Sequence, residues 1–86
     1  MYEIRYTKLA IKDIEMLNQA GLDQKARNLV DIIRKNPFET PPPYEKLVGD
    51  LNGAFSRRIN RQHRLIYKVD ESHHAIIILR LWTHYE

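Results

Sequence analysis

The sequence predicts an α+β fold with the element order β-α-α-β-β-β, in which a twisted antiparallel sheet carries two helices packed on one face. Three observations lead to this prediction. Residues 2–6 alternate between apolar or aromatic and charged side chains, the next two segments repeat apolar residues at helical spacing, and the last third of the chain holds three strand-like segments. With 86 residues, the chain has room for one compact domain, residues 1–86.

The two helices are predicted from their apolar spacing and from the residues at their ends. Thr7 is suited to cap the first helix, and Gly21 to end it. Asp23 is suited to cap the second helix, which should stop at Asn36 because a proline follows. The link at Gly21 and Leu22 is short, so the two helices should form an antiparallel hairpin.

Residues 37–53 form the one long irregular stretch. Its three consecutive prolines, residues 41–43, predict a stiff, extended segment that cannot join a central strand. The apolar residues Phe38, Leu47 and Leu51 are suited to anchor it. A long but anchored loop in so small a domain is typical of a functional segment.

The remaining strands are predicted at residues 54–59, 63–69 and 74–82, joined by polar turns. The third of them is apolar on both faces. Such a strand should lie centrally in the sheet, covered on both sides.

Composition excludes several classes of protein. The chain has no cysteine, which removes disulfides, thiolate nucleophiles and cysteine-containing zinc sites. Its N-terminus does not resemble a signal peptide, and its longest apolar run, residues 75–79, is too short to cross a bilayer. We therefore expect a cytoplasmic protein with no membrane partner.

One segment of the chain holds a cluster of basic residues without acids. The net charge is +3, and between Ser56 and Lys68 the chain has one histidine and no acid. The basic residues of this segment are Arg57, Arg58, Arg61, Arg64 and Lys68. Such a cluster is typical of a surface that binds a polyanion such as RNA. The alternatives are a solvated strand face and a surface that docks an acidic protein.

Metal and nucleotide motifs are lacking in the sequence. The four histidines have no carboxylate or cysteine partners at ligand spacing, and there is neither a glycine-rich phosphate loop nor a Gly-x-Ser-x-Gly motif. We therefore predict no metal and no cofactor.

The remaining polar residues suit transesterification on RNA. That reaction needs a base for the ribose 2′-OH, cations for the phosphorane and an acid for the 5′-oxygen. Glu45 is a candidate base and His84 a candidate acid, with Arg64 and Arg58 as candidate cations. Three aromatic residues offer faces on which bases could stack: Tyr67, Trp82 and Tyr85.

Each of these residues also has an ordinary structural interpretation. A loop glutamate such as Glu45 is usually an exposed salt-bridge partner, and a histidine as close to the end as His84 is usually mobile. Arg57 and Arg58 are neighbours in a predicted strand, so they face opposite sides and one of them should be structural.

The same residues lie in motifs of a known family. The motifs are Asn36-Pro37-Phe38, Tyr44-Glu45-Lys46-Leu47, Leu51-Asn52-Gly53, Phe55-Ser56-Arg57-Arg58-Ile59-Asn60, His63-Arg64-Leu65-Ile66-Tyr67 and the ending Trp82-Thr83-His84-Tyr85-Glu86. With them the chain resembles the Txe/YoeB toxins of the RelE superfamily. The resemblance covers the whole chain in length and element order, and its second half in motif.

The resemblance implies a RelE-like fold and a ribosome-dependent mRNA endonuclease, which cuts the codon in the ribosomal A site and leaves a 2′,3′-cyclic phosphate. It assigns the general base to Glu45, the general acid to His84 and the transition-state arginine to Arg64. It places Arg58 and Lys46 beside the phosphate, and Tyr85 completes the site. The basic cluster and the aromatic faces add Arg57 and Trp82 to the predicted RNA-binding residues.

The ending departs from that of many family members, which finish with a basic residue, an aromatic residue and then His-Tyr. Here Trp82 and Thr83 precede the His-Tyr pair, and Glu86 follows it. The stretch between Tyr67 and His84 is two residues longer than in many family members. An additional acid near the phosphate should weaken RNA binding.

The resemblance also implies partners. They are the ribosome with its mRNA and a YefM/Axe-like antitoxin, whose disordered C-terminal part would fold onto the toxin. Operator DNA would be reached only through the antitoxin, and a homodimer is left open. The alternative function is a non-catalytic module that binds the antitoxin within a DNA-bound autorepression complex.

Overall fold

The computed structural model describes residues 1–83; His84, Tyr85 and Glu86 lie outside the described residues. The elements, in chain order, are β1 (Glu3–Tyr6), α1 (Lys8–Ala20), α2 (Asp23–Lys35), β2 (Glu45–Lys46), β3 (Phe55–Arg58), β4 (Arg64–Asp70) and β5 (Ala75–Thr83). Short 3₁₀ turns lie at Gly49–Leu51 and Glu71–His73. The predicted α+β class is confirmed, and the loop before β3 contributes the additional short strand β2.

The five strands form one sheet in the order β1-β5-β4-β3-β2. Neighbouring strands are antiparallel except for β1, which pairs parallel with β5 and so makes the sheet mixed. Tight turns join β3 to β4 and β4 to β5 and can produce only antiparallel pairs, whereas β1 and β5 are separated by most of the chain. As predicted, β5 lies inside the sheet, between β1 and β4.

The ends of the helices mostly follow the sequence signals. The Thr7 hydroxyl accepts a hydrogen bond from the backbone N–H of Ala10, and Gly21 ends α1 in the left-handed conformation with φ +72°. The predicted cap at Asp23 is wrong: Asp23 is the first residue of α2, and Leu22 takes the capping position without a side-chain hydrogen bond. Asp23 instead places a negative charge in the first turn, where the helix dipole favours it.

Within residues 1–83, neither helix has the length and apolar character needed to cross a bilayer.

Two apolar clusters hold the layers together. The helix-side core joins both helices to the sheet and includes Leu17, Ile33 and Tyr67. A second cluster, built on Leu47, Ala54 and Ile66, lies on the other face of the sheet because Ile66 alternates with Tyr67 along β4.

The irregular stretch before β3, residues 37–53, is anchored as predicted, but its prolines do not form the uniformly extended segment expected of them. Leu47 is buried and Leu51 packs against the second cluster, whereas Phe38 is 42% exposed and contacts the rings of Tyr44 and Phe55. The chain bends within residues 41–42, so the segment is not uniformly extended. Leu47 and Leu51 therefore anchor the second half of this loop, and Phe38 packs on aromatic rings in its first half.

A buried carboxylate fastens α1 to the end of β5. Asp13 accepts a hydrogen bond from the backbone N–H of Leu81 at 2.9 Å, and it pairs with Arg80 through Nε at 2.9 Å. Arg80 also donates to the carbonyl oxygen of Trp82 at 3.3 Å. These contacts fix the end of β5 against the helix layer.

Candidate active site

Strand register brings three of the predicted site residues, Glu45, Arg58 and Arg64, to one face of the sheet. Glu45 pairs with Ser56 across β2 and β3, and Arg58 pairs with Arg64 across β3 and β4. Residues that face one another in a register, or that lie two apart on a strand, project to the same side. Tyr67 projects into the helix-side core, and it lies three residues from Arg64 on β4, so the two side chains project to opposite faces. Arg64 and the three residues that share its face therefore project away from the helices.

Glu45, Arg58 and Arg64, together with the loop before β2, line a cleft of about 350 Å³. Its lining residues are Pro42, Pro43, Glu45, Arg58 and Arg64. Within residues 1–83, no group of three or more His, Asp or Glu side chains is placed to share a metal ion. The cleft thus offers one carboxylate facing two guanidinium groups, a set that can move a proton and bind a phosphate.

Arg64 is the central residue of the cleft. Its Nη1 atom donates to Glu45 Oε1 at 3.3 Å and to the Ser56 hydroxyl at 3.2 Å. The Arg64 side chain is 14% exposed, while that of Glu45 is 63% exposed. An ion pair of this length with a largely solvated carboxylate is weak, so an incoming anion can compete with Glu45 for the guanidinium.

Arg57 does not line the cleft, and its predicted RNA-binding role is wrong. Its side chain is fully buried, with hydrogen bonds from Nε to Tyr67 Oη, from Nη1 to the Pro42 carbonyl and from Nη2 to the Pro37 carbonyl. The expectation that one of the adjacent arginines is structural is thereby confirmed. Arg58 is the exposed one, and it reaches the cleft.

Tyr67 is likewise unavailable as a stacking surface. It is fully buried, and its hydroxyl donates to the carbonyl oxygen of Pro37 at 2.6 Å. Burial raises the pKa of this phenol, against the lowering effect of Arg57, so the hydroxyl remains a donor at neutral pH. Tyr67 supports the loop and cannot contact a base.

The structure does not bring Lys46 to the cleft. Lys46 pairs with Phe55, whose ring packs on the helix-side core, and strand alternation therefore directs the Lys46 side chain away from the face of Glu45.

Trp82 is half-buried and stacks on His63 with ring centroids 3.7 Å apart, so one face of the indole is already covered.

The C-terminal end of the sheet lies beside the cleft. Thr83, the last described residue, pairs with Arg64 across β4 and β5. The predicted acid His84 and the predicted aromatic Tyr85 follow it in sequence and lie outside the described residues.

One residue of the site was not predicted. Ser56 is 1% exposed and holds Arg64, yet a serine within a strand carries no distinctive sequence signal. The alternation of β3 could have revealed it, because Ser56 must share a face with Arg58 once Arg57 is known to point inward.

Comparison with known proteins identifies the family of this chain. Residues 6–85 match the family model of the YoeB-like toxin of bacterial type II toxin-antitoxin systems. A toxin YoeB of Synechocystis sp. is 33% identical over 86 residues, covering 98% of each chain. The toxin in the YoeB-YefM complex from Staphylococcus aureus is 33% identical with a TM-score of 0.82 over 99% of each chain. The Staphylococcus aureus YoeB dimer gives 33% identity and a TM-score of 0.83 over 98% of each chain. The chain therefore belongs to the YoeB-like toxins of bacterial type II toxin-antitoxin systems.

Proposed function

We propose that this toxin is a ribosome-dependent, metal-independent mRNA endonuclease that inhibits translation in the cytoplasm. The observation that carries the proposal is the convergence of Glu45, Arg58 and Arg64 in one cleft. A carboxylate facing two guanidinium groups suits the cleavage of RNA through its own 2′-hydroxyl, because the substrate then supplies the nucleophile.

The reaction assigns one role to each group. The Glu45 carboxylate takes the proton of the ribose 2′-OH, and the 2′-oxygen forms a bond to the adjacent phosphorus. Arg64 and Arg58 stabilise the charge that develops on the non-bridging oxygens. The bond from phosphorus to the 5′-oxygen breaks, His84 protonates that oxygen, and a 2′,3′-cyclic phosphate remains on the upstream fragment.

The resting ion pair is compatible with this sequence of steps. Glu45 lies 3.3 Å from Arg64 Nη1, so the proposed base and the proposed phosphate ligand are already neighbours in the resting cleft. When a phosphate takes the guanidinium, the exposed Glu45 is released toward the 2′-OH, while Ser56 keeps its hold on Arg64. For His84, the support is its place directly after Thr83, which pairs with Arg64.

The proposed RNA-binding residues are now Arg58, Trp82 and Tyr85. Arg58 is exposed in the cleft, and Trp82 is half-buried near the end of β5, one residue before Thr83, which pairs with Arg64. A guanidinium for the phosphate and an aromatic face for a base are the usual means of holding single-stranded RNA.

We further propose a YefM/Axe-like antitoxin as the partner and a homodimer as a second assembly. The support is that the related Staphylococcus aureus protein forms a YoeB-YefM complex and a YoeB dimer. Operator DNA would be reached through the antitoxin.

The test is cleavage of a translated message by purified toxin on ribosomes. We expect Glu45→Ala and His84→Ala each to slow cleavage by roughly 10²–10⁴-fold, the usual contribution of a general base or acid. Matched controls are Glu39→Ala, an exposed glutamate earlier in the same loop, and His73→Ala, an exposed turn histidine; both should cleave as the wild type does. The upstream product should carry a 2′,3′-cyclic phosphate.

Wild-type rates in Glu45→Ala and His84→Ala would reject the mechanism. The non-catalytic alternative, an antitoxin-binding module in an autorepression complex, is supported by the YoeB-YefM neighbour. It predicts that any growth arrest on expressing the toxin alone persists in Glu45→Ala, whereas the nuclease predicts that this variant abolishes the arrest.

A further inference from the structure

We propose that Arg57 is a positioning residue of this site. It holds the proline loop, residues 37–44, and through it the cleft wall and Glu45, in the geometry that cleavage requires. The inference rests on the proposed function, because it names the residue that keeps the proposed base in place.

The first argument is the location of the Arg57 charge. The guanidinium is fully buried, and its three hydrogen bonds go to two loop carbonyls and one phenol. The central guanidinium carbon, Cζ of Arg57, also lies 5.1 Å from the centre of the Tyr44 ring, which makes a cation–π contact. Burying a cation is unfavourable unless its donors are satisfied, so the loop must keep both carbonyls aimed at Arg57.

The second argument is that Arg57 joins two separate points of the loop. Nη1 lies 2.6 Å from the Pro42 carbonyl oxygen, and Nη2 lies 3.0 Å from that of Pro37. A planar guanidinium with donors in a fixed fork can hold two such points at a set separation, whereas a lysine ammonium cannot. Tyr67 reinforces one point, since its hydroxyl accepts from Nε and donates to the Pro37 carbonyl.

The third argument is the position of the held loop. Pro42 lines the cleft, and Glu45 begins β2 three residues later. Arg57 lies between Ser56 and Arg58, both of which project toward the cleft from the same strand. One strand thus presents the cleft residues on one face and fixes the loop that carries the base on the other.

The test is Arg57→Lys, which keeps the charge and removes the fork. In the purified full-length toxin we expect amide exchange of residues 38–47 to rise by about tenfold, because a charge-assisted hydrogen bond contributes enough to slow local opening by that factor. On ribosomes we expect kcat to fall by about tenfold with KM unchanged, since a misplaced base slows chemistry without removing a substrate contact.

Arg58→Lys is the matched control, because it makes the same change one residue along, on the cleft side. It should leave the exchange of residues 38–47 as in the wild type. An Arg57→Lys protein with wild-type loop exchange, or with faster exchange and wild-type kcat, would overturn the proposal.

If Arg57→Lys does not fold, Tyr67→Phe decides the question, since it removes one partner of Arg57 and retains the charge. Loop exchange should again rise and kcat fall, by less than in Arg57→Lys; unchanged values would reject the role of Arg57. A wild-type protein that cleaves no RNA would reject the proposed function, and the exchange measurement would still show whether Arg57 orders the loop.

Discussion

The Nη1 atom of Arg64 donates to the Ser56 hydroxyl at 3.2 Å, so a buried side chain holds the central cation of the cleft. Ser56 is 1% exposed, whereas the other partner of this atom, Glu45, is largely solvated. The two contacts therefore differ in character: one anchors Arg64 to the sheet, and the other can be exchanged for a phosphate.

Replacing Ser56 with alanine should slow cleavage without removing any charged group. A hydrogen bond to a charged partner contributes about 1.5–3 kcal/mol, and we expect about a tenfold fall in the single-turnover rate because Arg64 loses its anchor. Ser72→Ala, at an exposed turn serine, is the control and should retain the wild-type rate. An unchanged rate in folded Ser56→Ala would show that Arg64 does not depend on this hydroxyl.

Arg58 should contribute to RNA binding through a phosphate. Each phosphate contact to single-stranded nucleic acid contributes about 0.7 to the slope of log affinity against log salt concentration, so Arg58→Ala should flatten that slope by about this amount. The measurement is a titration of the isolated toxin with an oligonucleotide that lacks the reactive 2′-OH. Lys12→Ala, an exposed substitution on α1, should leave the slope unchanged. An unaltered slope in Arg58→Ala would remove Arg58 from the phosphate site.

The contact between Asp13 and the end of β5 should make stability depend on pH. Burial alone would raise the pKa of the Asp13 carboxyl, but hydrogen bonds from Arg80 and from the Leu81 N–H outweigh burial and hold the pKa below its ordinary value of 3.8. A folded pKa below the unfolded one contributes stability that is present above pH 3.8 and is lost as the pH falls through the folded pKa.

Asp13→Asn should therefore destabilise the protein at pH 7 by about 2 kcal/mol, a value that allows for solvent screening at the partly exposed Arg80. The difference from the wild type should shrink below roughly pH 4, as the wild-type carboxyl becomes protonated. Urea unfolding from pH 7 to pH 2.5 measures both effects, with the exposed substitution Asp50→Asn as the control. A destabilisation that stays constant across this range would contradict the assigned pKa shift.

Local signals in the sequence were sufficient to predict most of the helices and strands. The Thr7 cap, the left-handed Gly21 and the proline after Asn36 bounded the helices, because each acts on its own turn of backbone. The cap at Asp23 was misassigned by one residue, since an acid is favourable both at a capping position and in the first turn. The parallel pairing of β1 with β5 could not be read from residue patterns, because alternation specifies which face is buried and not which strand lies alongside.

By itself, the sequence determined the layered α+β class, the family, and the glutamate and arginines that the cleft contains. Tertiary structure decided which adjacent arginine serves the cleft: alternation requires Arg57 and Arg58 to face opposite ways, but only the packing of Tyr67 and the proline loop buries Arg57. It also selected Ser56 and removed Lys46 from the cleft, through the register of β2 on β3. Register and packing depend on contacts between residues distant in sequence. The roles of Ser56, Arg57 and Lys46 therefore follow from the folded sheet and not from any local pattern.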